Sequence, residues 1–503
     1  MNNKFVKGAA ILTITTFLSK VLGSFFQIPL QNIAGDEVLG IFRLVFPVYM
    51  IALTLSVAGV PLAISKLIAE LHEKNDQDGI AKLFTSASII GVIFGVLGFS
   101  VIMSMFANML GGQDTRLPLI VTSFALLIAP YMAVYRGYFQ GFGDMIPTGV
   151  SQVIEQFIRV FFMLAIAFLF VSWNKESDVV TGGAMIGSCL GVITSLIYLR
   201  LKYVKSIYRY KSKTYSLQDF KDNAKKILQV SIPIAIGALS MPVLNLVDSV
   251  TIPHMLHEST TTIQEQFGIY SRGFAFTQLI VVFASAMVFP LIPLLTAALT
   301  KKDIALAKQT IERTNELAHV LTTPITIWLM ALTIPLNVGL FTDAKGSGML
   351  AILIGSSYFT SLMVLSIGIL QGINRSKQAA WIVVGASFVK VILNIVLVSQ
   401  FGITGAAYST LIIYIMICIV NYIYIRKELA YSIHMGRFFA VIGVSSIVGI
   451  GLYFTSTFIN VVDSRLIAIL YSGLAFCVAS FIYGICALKL NWISKQQILF
   501  LRK

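Results

Sequence analysis

Charge is scarce in this chain of 503 residues: only 12% are Asp, Glu, Lys or Arg, 57% are hydrophobic, and the mean hydropathy is +0.85. A soluble globule is excluded, because so little polar surface cannot cover one. Cysteine is scarce as well. Cys189, Cys418, Cys477 and Cys486 all fall in apolar stretches, so no disulfide framework is expected. The chain has no Gly-rich phosphate loop ending in Gly-Lys and no Gly-x-Ser-x-Gly elbow, and its polar connections are too short to hold a catalytic domain. An enzyme is therefore not expected. His254, His257 and Glu258 share one short polar stretch, a weak metal signal, and neither a metal nor a cofactor is expected.

Long apolar runs are what the sequence has instead. Fourteen windows of membrane-spanning length can be marked, at about 8–30, 41–66, 83–108, 118–141, 150–172, 180–203, 228–252, 267–297, 318–341, 349–373, 378–399, 403–425, 437–459 and 465–488. The cations between them test that count. One face collects Lys4, Lys7, Lys66, Lys74, Lys82, the run from Arg200 to Lys226, Lys301, Lys302, Lys308, Arg313, Arg375, Lys377, Arg426, Lys427, Arg437 and the stretch from Lys489 to Lys503. The other face has only Arg116, Lys175, Lys345 and Arg465. This asymmetry predicts a multi-pass cell-membrane protein with both termini cytoplasmic. The formal net charge of +15 is accounted for in the same way, so it implies anionic headgroups at the inner leaflet and not nucleic acid.

The chain also repeats itself. Phe139-Gln-Gly to Val160 aligns without a gap on Leu370-Gln-Gly to Val391, placing Gln140 on Gln371 and Arg159 on Lys390, and Arg43 and Pro61 fall likewise on Arg272 and Pro290. Thr181-Gly-Gly-Ala matches Thr404-Gly-Ala-Ala. An even number of spans per copy gives both halves one orientation, so a parallel repeat with a cavity between lobes is expected. The predicted architecture is all-α: a six-helix lobe at 1–204, a basic linker at 205–227, a second six-helix lobe at 228–426, and two further helices at 427–503. Many spans carry prolines, which kink membrane helices.

A charge deep in an apolar segment is costly and marks function. Lys20, Arg43, Arg159, Arg272 and Lys390 are the candidate cavity cations, with Glu155 and Asp248 as cavity acids or ion-coupling groups. Arg43 and Arg272 read as a symmetric outer pair. Arg136, near the end of its span, reads as a snorkelling anchor. Glu155 precedes Arg159 by four residues, the favourable order for an intrahelical pair, which leaves a structural and a functional role both open. In the second copy Ala386 replaces Glu155, and Asp248 is a candidate substitute partner for Lys390. A net-positive cavity concentrates anions, and a guanidinium matches phosphate with two parallel hydrogen bonds.

These residues resemble the stage V sporulation protein B group of polysaccharide flippases, relatives of lipid II flippases in the multidrug/oligosaccharidyl-lipid/polysaccharide exporter superfamily. The stretches that carry the resemblance are Ser19-Lys-Val-Leu-Gly, Gly59-Val-Pro-Leu-Ala-Ile-Ser-Lys-Leu-Ile-Ala-Glu70, Ser151-Gln-Val-Ile-Glu-Gln, Lys390-Val-Ile-Leu-Asn394 and Phe401-Gly-Ile-Thr-Gly-Ala-Ala407. The resemblance implies a bacterial monomer that carries an undecaprenyl-pyrophosphate-linked oligosaccharide, lipid II or a surface polysaccharide unit, from inner to outer leaflet by alternating access. It also implies basic cavity residues at Lys20 and Arg272, and a lipid groove at the last two helices. The drive would be the membrane potential or a coupled Na+ or H+. A cation or drug antiporter of the same superfamily is the alternative, and a membrane-embedded glycosyltransferase or lipid phosphatase is a more distant one.

Overall fold

The structure is a computed structural model, which describes residues 3–106, 113–212, 214–256, 262–431, 435–459, 464–490 and 492. Those residues hold seventeen α-helices and no strand. In the first half they are α1 (Asn3–Phe25), α2 (Gln27–Leu53), α3 (Val60–Glu73), α4 (Gln77–Val101), α5 (Arg116–Gly141), α6 (Ile146–Ser172), α7 (Ser177–Val204), α8 (Leu217–Ala238) and α9 (Ser240–Met255). Then follow α10 (Ile263–Thr300), α11 (Ile304–Ala331), α12 (Thr333–Phe341), α13 (Ser347–Gly372), α14 (Ser376–Phe401), α15 (Ile403–Leu429), α16 (Met435–Phe458) and α17 (Arg465–Lys489). Ten are individually long and apolar enough to cross a membrane, and the bent pairs α8–α9 and α11–α12 raise that to twelve. With α1 and the α2–α3 stretch the number reaches the fourteen spans expected.

Proline chemistry sets where the spans break. Pro242 and Pro335 stand in the first turns of α9 and α12, where they cannot donate to the carbonyls of Ala238 and Ala331. The chain bends there by 61° and 73°. In α2 the break is at Gly35, whose φ of 82° lies in the left-handed region that glycine enters without penalty.

The sequence repeat is visible in the backbone corners. Asp76 and Asp303 cap α4 and α11, accepting from the Gly79 and Leu306 amides at 2.8 and 2.9 Å, and each follows a residue at positive φ, Asn75 or Lys302. Such caps satisfy amides that the first turn leaves without partners. Likewise Gly143 after α5 and Asn374 after α13 both have positive φ and stand at the same place in the aligned segment.

Packing divides the chain into two compact units, residues 1–268 and 269–503. This packing boundary does not coincide with the linker at 205–227. The reason is that α8 and α9 pack on α2, α3 and α4, so the seventh span joins the first unit. Small residues make that unit dense. A Cβ on Gly137 would stand 2.7 Å from the Pro61 carbonyl, and one on Gly59 would meet the Ser231 backbone, so α5 touches α3 and α8 touches the chain ahead of α3. In the second unit α13 and α15 are central. Helices α16 and α17 turn Ile447, Phe454, Phe458, Leu470, Leu474 and Phe481 outward, as lipid-facing helices do.

Candidate anion site in the membrane helices

In the first unit α5, α6 and α7 close around one carboxylate. Gly187 and Gly191 bring α7 against the α6 backbone at Arg159 and Glu155, where an added Cβ would stand 2.6 Å from either carbonyl. Glu155 then accepts from Arg159 at 2.5 Å and from Arg136 at 2.8 Å. Arg136 also donates to Ser151 and Ser195 at 3.0 and 3.2 Å, and Arg159 donates to Gln156 at 2.9 Å. The snorkelling assignment of Arg136 is therefore corrected: its side chain is 10% exposed and turned into a three-helix junction. Two guanidiniums share one carboxylate, so the cluster keeps one net positive charge in a region where water is scarce. The Arg159 Nε and the hydroxyl of nearby Tyr49 are buried without a hydrogen-bond partner among the described residues.

Helix α1 lies along the same wall. Thr16 donates to Gln152 at 2.9 Å, and the Gln156 amide reaches the Ser19 carbonyl at 3.3 Å. Lys20 follows Thr16 by four residues, is exposed, and lies off the stripe of Ile14, Leu18 and Phe25 that marks the apolar outer face of α1. Lys20, Gln152, Gln156 and Arg159 thus line one polar strip of the first unit. The sequence motif pointed to Lys20, Glu155 and Arg159, whereas Arg136 and the two glutamines emerge only from the packing.

Arg43 sits well inside α2, 7% exposed, which removes snorkelling as an explanation. It donates to Asn245 of α9 at 3.4 Å, and Ser249 of α9 donates to its carbonyl at 3.4 Å. Asp248 is buried on that same α9 face, three residues after Asn245.

The second unit departs from the first. Arg272 is completely buried, donates to Asp343 through both terminal nitrogens at 2.7 and 3.3 Å and to Asn337 at 3.0 Å, and lies over the Phe341 ring at 5.4 Å. Arg43 and Arg272 share a sequence register, and each is buried against an asparagine, Asn245 of α9 for Arg43 and Asn337 of α12 for Arg272. Asp343 was not visible as a partner because 71 residues separate it from Arg272. Burial alone would raise the Asp343 carboxyl, but the Arg272 hydrogen bonds, the Lys345 amide and the nearby positive charge together hold it below its ordinary value.

Lys390 is also completely buried, and it donates to Thr410 at 3.0 Å and faces the Tyr414 ring at 5.7 Å. Thr410 is within 3.0 Å of the Tyr270 hydroxyl. Thr410 and Tyr414 both stand on α15, and Tyr270 of α10 reaches Lys390's neighbourhood through Thr410. The loss of Glu155 in this copy has company: Ile367 stands where Arg136 stood, so acid and second cation are both gone and only the Lys390 cation is left.

A groove of about 280 Å³ runs between α11, α13, α15 and α16. Glu312, Glu316 and Arg437 give it a charged lining, the last two paired at 2.8 Å, and Phe359, Leu362, Ile415 and Ile419 an apolar one. His319 closes one side, bonded to Tyr358 at 2.8 Å and stacked on Phe438 at 4.2 Å. No cluster of three metal-ligating side chains occurs among the described residues. His254 contacts the Val250 carbonyl at 2.6 Å, while His257 and Glu258 lie outside the described residues.

Comparison with known proteins fits this geometry. Two Bacillus subtilis proteins align over nearly their whole length: the uncharacterized membrane protein YabM, 29% identical over 98% of this chain and 94% of its own, and the lipid II flippase MurJ, 26% identical over 98% and 97%. Stage V sporulation protein B of the same organism is 30% identical over 46% of this chain and 45% of its own. Among solved structures, an inward closed lipid II flippase MurJ shares the fold at a TM-score of 0.69, covering 95% of this chain and all of that one at 15% identity. An inward-facing multidrug resistance transporter of the MOP superfamily does so at 0.66, covering 84% and 98% at 18% identity. The model of the polysaccharide biosynthesis protein family matches residues 5–299, and with that match across more than half of the chain, the protein belongs to this family.

Proposed function

We propose that this protein is a flippase for a polyprenyl-pyrophosphate-linked oligosaccharide, moving it from the inner to the outer leaflet. The observation that carries the reading is the Glu155-bridged pair Arg136 and Arg159, with Lys20 exposed on the same strip. A site with residual positive charge suits a diphosphate, and it repels the cationic drugs that an antiporter of the same fold would carry. Its resemblance to a lipid II flippase over almost the full length supports the same substrate class.

In this reading Lys20 and Arg159 hold the diphosphate, and Gln152 and Gln156 offer neutral donors to its oxygens or to the first sugar. The apolar lining of the groove beside α16 suits a polyprenyl tail, and its charged lining suits the headgroup level. Arg43, Arg272 and Lys390 are engaged by protein partners, as Arg159 is by Glu155 and Gln156, so each would bind substrate as those contacts exchange. No bond is made or broken. An inside-negative membrane potential favours outward movement of an anion by about 2.3 kcal/mol per charge at 100 mV, and a coupled Na+ or H+ is the other candidate drive.

The test is leaflet exchange of a labelled undecaprenyl-pyrophosphate glycan by the purified protein in vesicles. Lys20→Gln and Arg159→Gln are expected to lower exchange at least tenfold, and Lys301→Gln, far along the chain in a polar corner, to leave it unchanged. Full exchange in both cavity variants would overturn the proposal. Using lipid II and a surface polysaccharide precursor in parallel vesicles identifies the glycan.

A further inference from the structure

The linker between α7 and α8 is built as a fixed surface. From Lys205 to Ser212 the residues alternate: Lys205, Ile207, Arg209 and Lys211 are exposed, while Ser206, Tyr208, Tyr210 and Ser212 are turned inward. The inward set is tied down. The Tyr208 ring stacks on Phe142 at 4.3 Å and meets His72 edge-on at 5.6 Å, and its carbonyl accepts from the Tyr138 hydroxyl. Tyr210 packs against the core of the first unit. Ser212 donates to Asp78 at 2.7 Å, and Tyr215 lies 2.9 Å from the Ser86 hydroxyl.

Because Phe142 caps α5 and His72 lies in the last turn of α3, these contacts hold the linker level with the helix ends, where a bilayer's headgroups begin. The outward set is three cations around one apolar side chain, and Ile207 is 85% exposed. Nearby acids offset them only in part: Asp78 and Asp219 share Lys82, at 3.1 and 3.3 Å, and keep one negative charge between them against the three outward cations.

We propose that residues 205–211 form a binding surface for the anionic phospholipids of the adjoining leaflet, with Lys205, Arg209 and Lys211 on the phosphates and Ile207 inserted between the lipids. An exposed isoleucine amid cations fits an amphiphilic surface, since a purely ionic partner would leave it in water. Arg209 also lies 5.9 Å from the Tyr203 ring, which holds its side chain at the surface. The clasp fixes the backbone beforehand, so binding orders little more than side chains. Bound lipid would fasten the connection between α7 and α8 to the headgroup plane.

The test uses the full chain, purified in detergent and mixed with phosphatidylglycerol or phosphatidylcholine, with retained lipid counted by native mass spectrometry. The wild type is expected to retain phosphatidylglycerol preferentially. The triple variant Lys205→Gln, Arg209→Gln, Lys211→Gln should lose roughly fivefold in affinity per cation removed. The charge-keeping swap Lys205→Arg, Arg209→Lys, Lys211→Arg should retain the lipid, as should Lys301→Gln with Lys302→Gln, and Ile207→Ser should weaken retention with charge unchanged. Equal retention of both lipids, or a triple variant that behaves as the wild type, overturns the proposal. So does an equal loss in the Lys301 and Lys302 control.

Discussion

Glu155 gives the sharpest test of the buried cluster. Glu155→Ala would leave the Arg136 and Arg159 guanidiniums facing each other with no carboxylate between, roughly 6 Å apart, where at an effective dielectric of about 20 they repel by about 3 kcal/mol. Two attractive contacts vanish at the same time. All three side chains are only 10 to 14% exposed, so solvent screens little of this, and breaking such a pair costs about 3–5 kcal/mol. The second copy of the repeat indicates how that cost can be removed, because there Ala386 and Ile367 replace the acid and the second arginine together.

Arg136→Ile in the Glu155→Ala background should therefore recover at least half of the lost stability, although Arg136→Ile alone destabilises by leaving Ser151 and Ser195 without their donor. The assay is a double-mutant cycle on unfolding free energy in mild detergent, with the interaction term expected at about 1–3 kcal/mol. Strict additivity, or a double variant less stable than Glu155→Ala, would refute the reasoning, since the cluster would then not be an electrostatic unit.

Other outcomes follow from the same geometry. Asp343 has a folded pKa below its unfolded one, so the stability it gives is present above the unfolded value, about 3.9, and is lost as pH falls through the folded value. Asp343→Asn should flatten that acid limb in a pH series of melting curves. Gly137→Ala should destabilise by about 1–3 kcal/mol, because its Cβ would press on the Pro61 carbonyl, while Gly385→Ala, with open space around it, should be neutral or stabilising by up to about 1 kcal/mol; thermal melts compare them. Lys390→Arg, a larger cation in a fully enclosed position, should cost stability by overpacking, and Lys390→Met, close in shape, should unfold less readily than Lys390→Arg.

Sequence legibility followed the range of the interactions. Helix identity and span number depend on local hydropathy, and the corners depend on residues within four positions of each other, such as Asp76 with Gly79 and Asp303 with Leu306. The Glu155 to Arg159 pair is likewise local, one helical turn, and could be read directly. Arg136 was misread because its partners lie on α6 and α7, 15, 19 and 59 positions away, and nothing in their spacing announces them. Its nearness to a helix end looked decisive in one dimension, but in three dimensions that end is buried against two others.

By itself the sequence determined a membrane-embedded helical protein, duplicated, with cations at matching positions in both copies, because hydropathy and repetition are properties of the chain alone. Tertiary structure decided what surrounds each of those cations. Arg272 is claimed by Asp343 and Lys390 by Thr410 and Tyr414, while Lys20 stands exposed and Arg136 joins Arg159 on a single carboxylate. The physical reason is that a charge in low dielectric is governed by whatever lies within a few ångströms, and those neighbours are brought there by helix packing and not by sequence order.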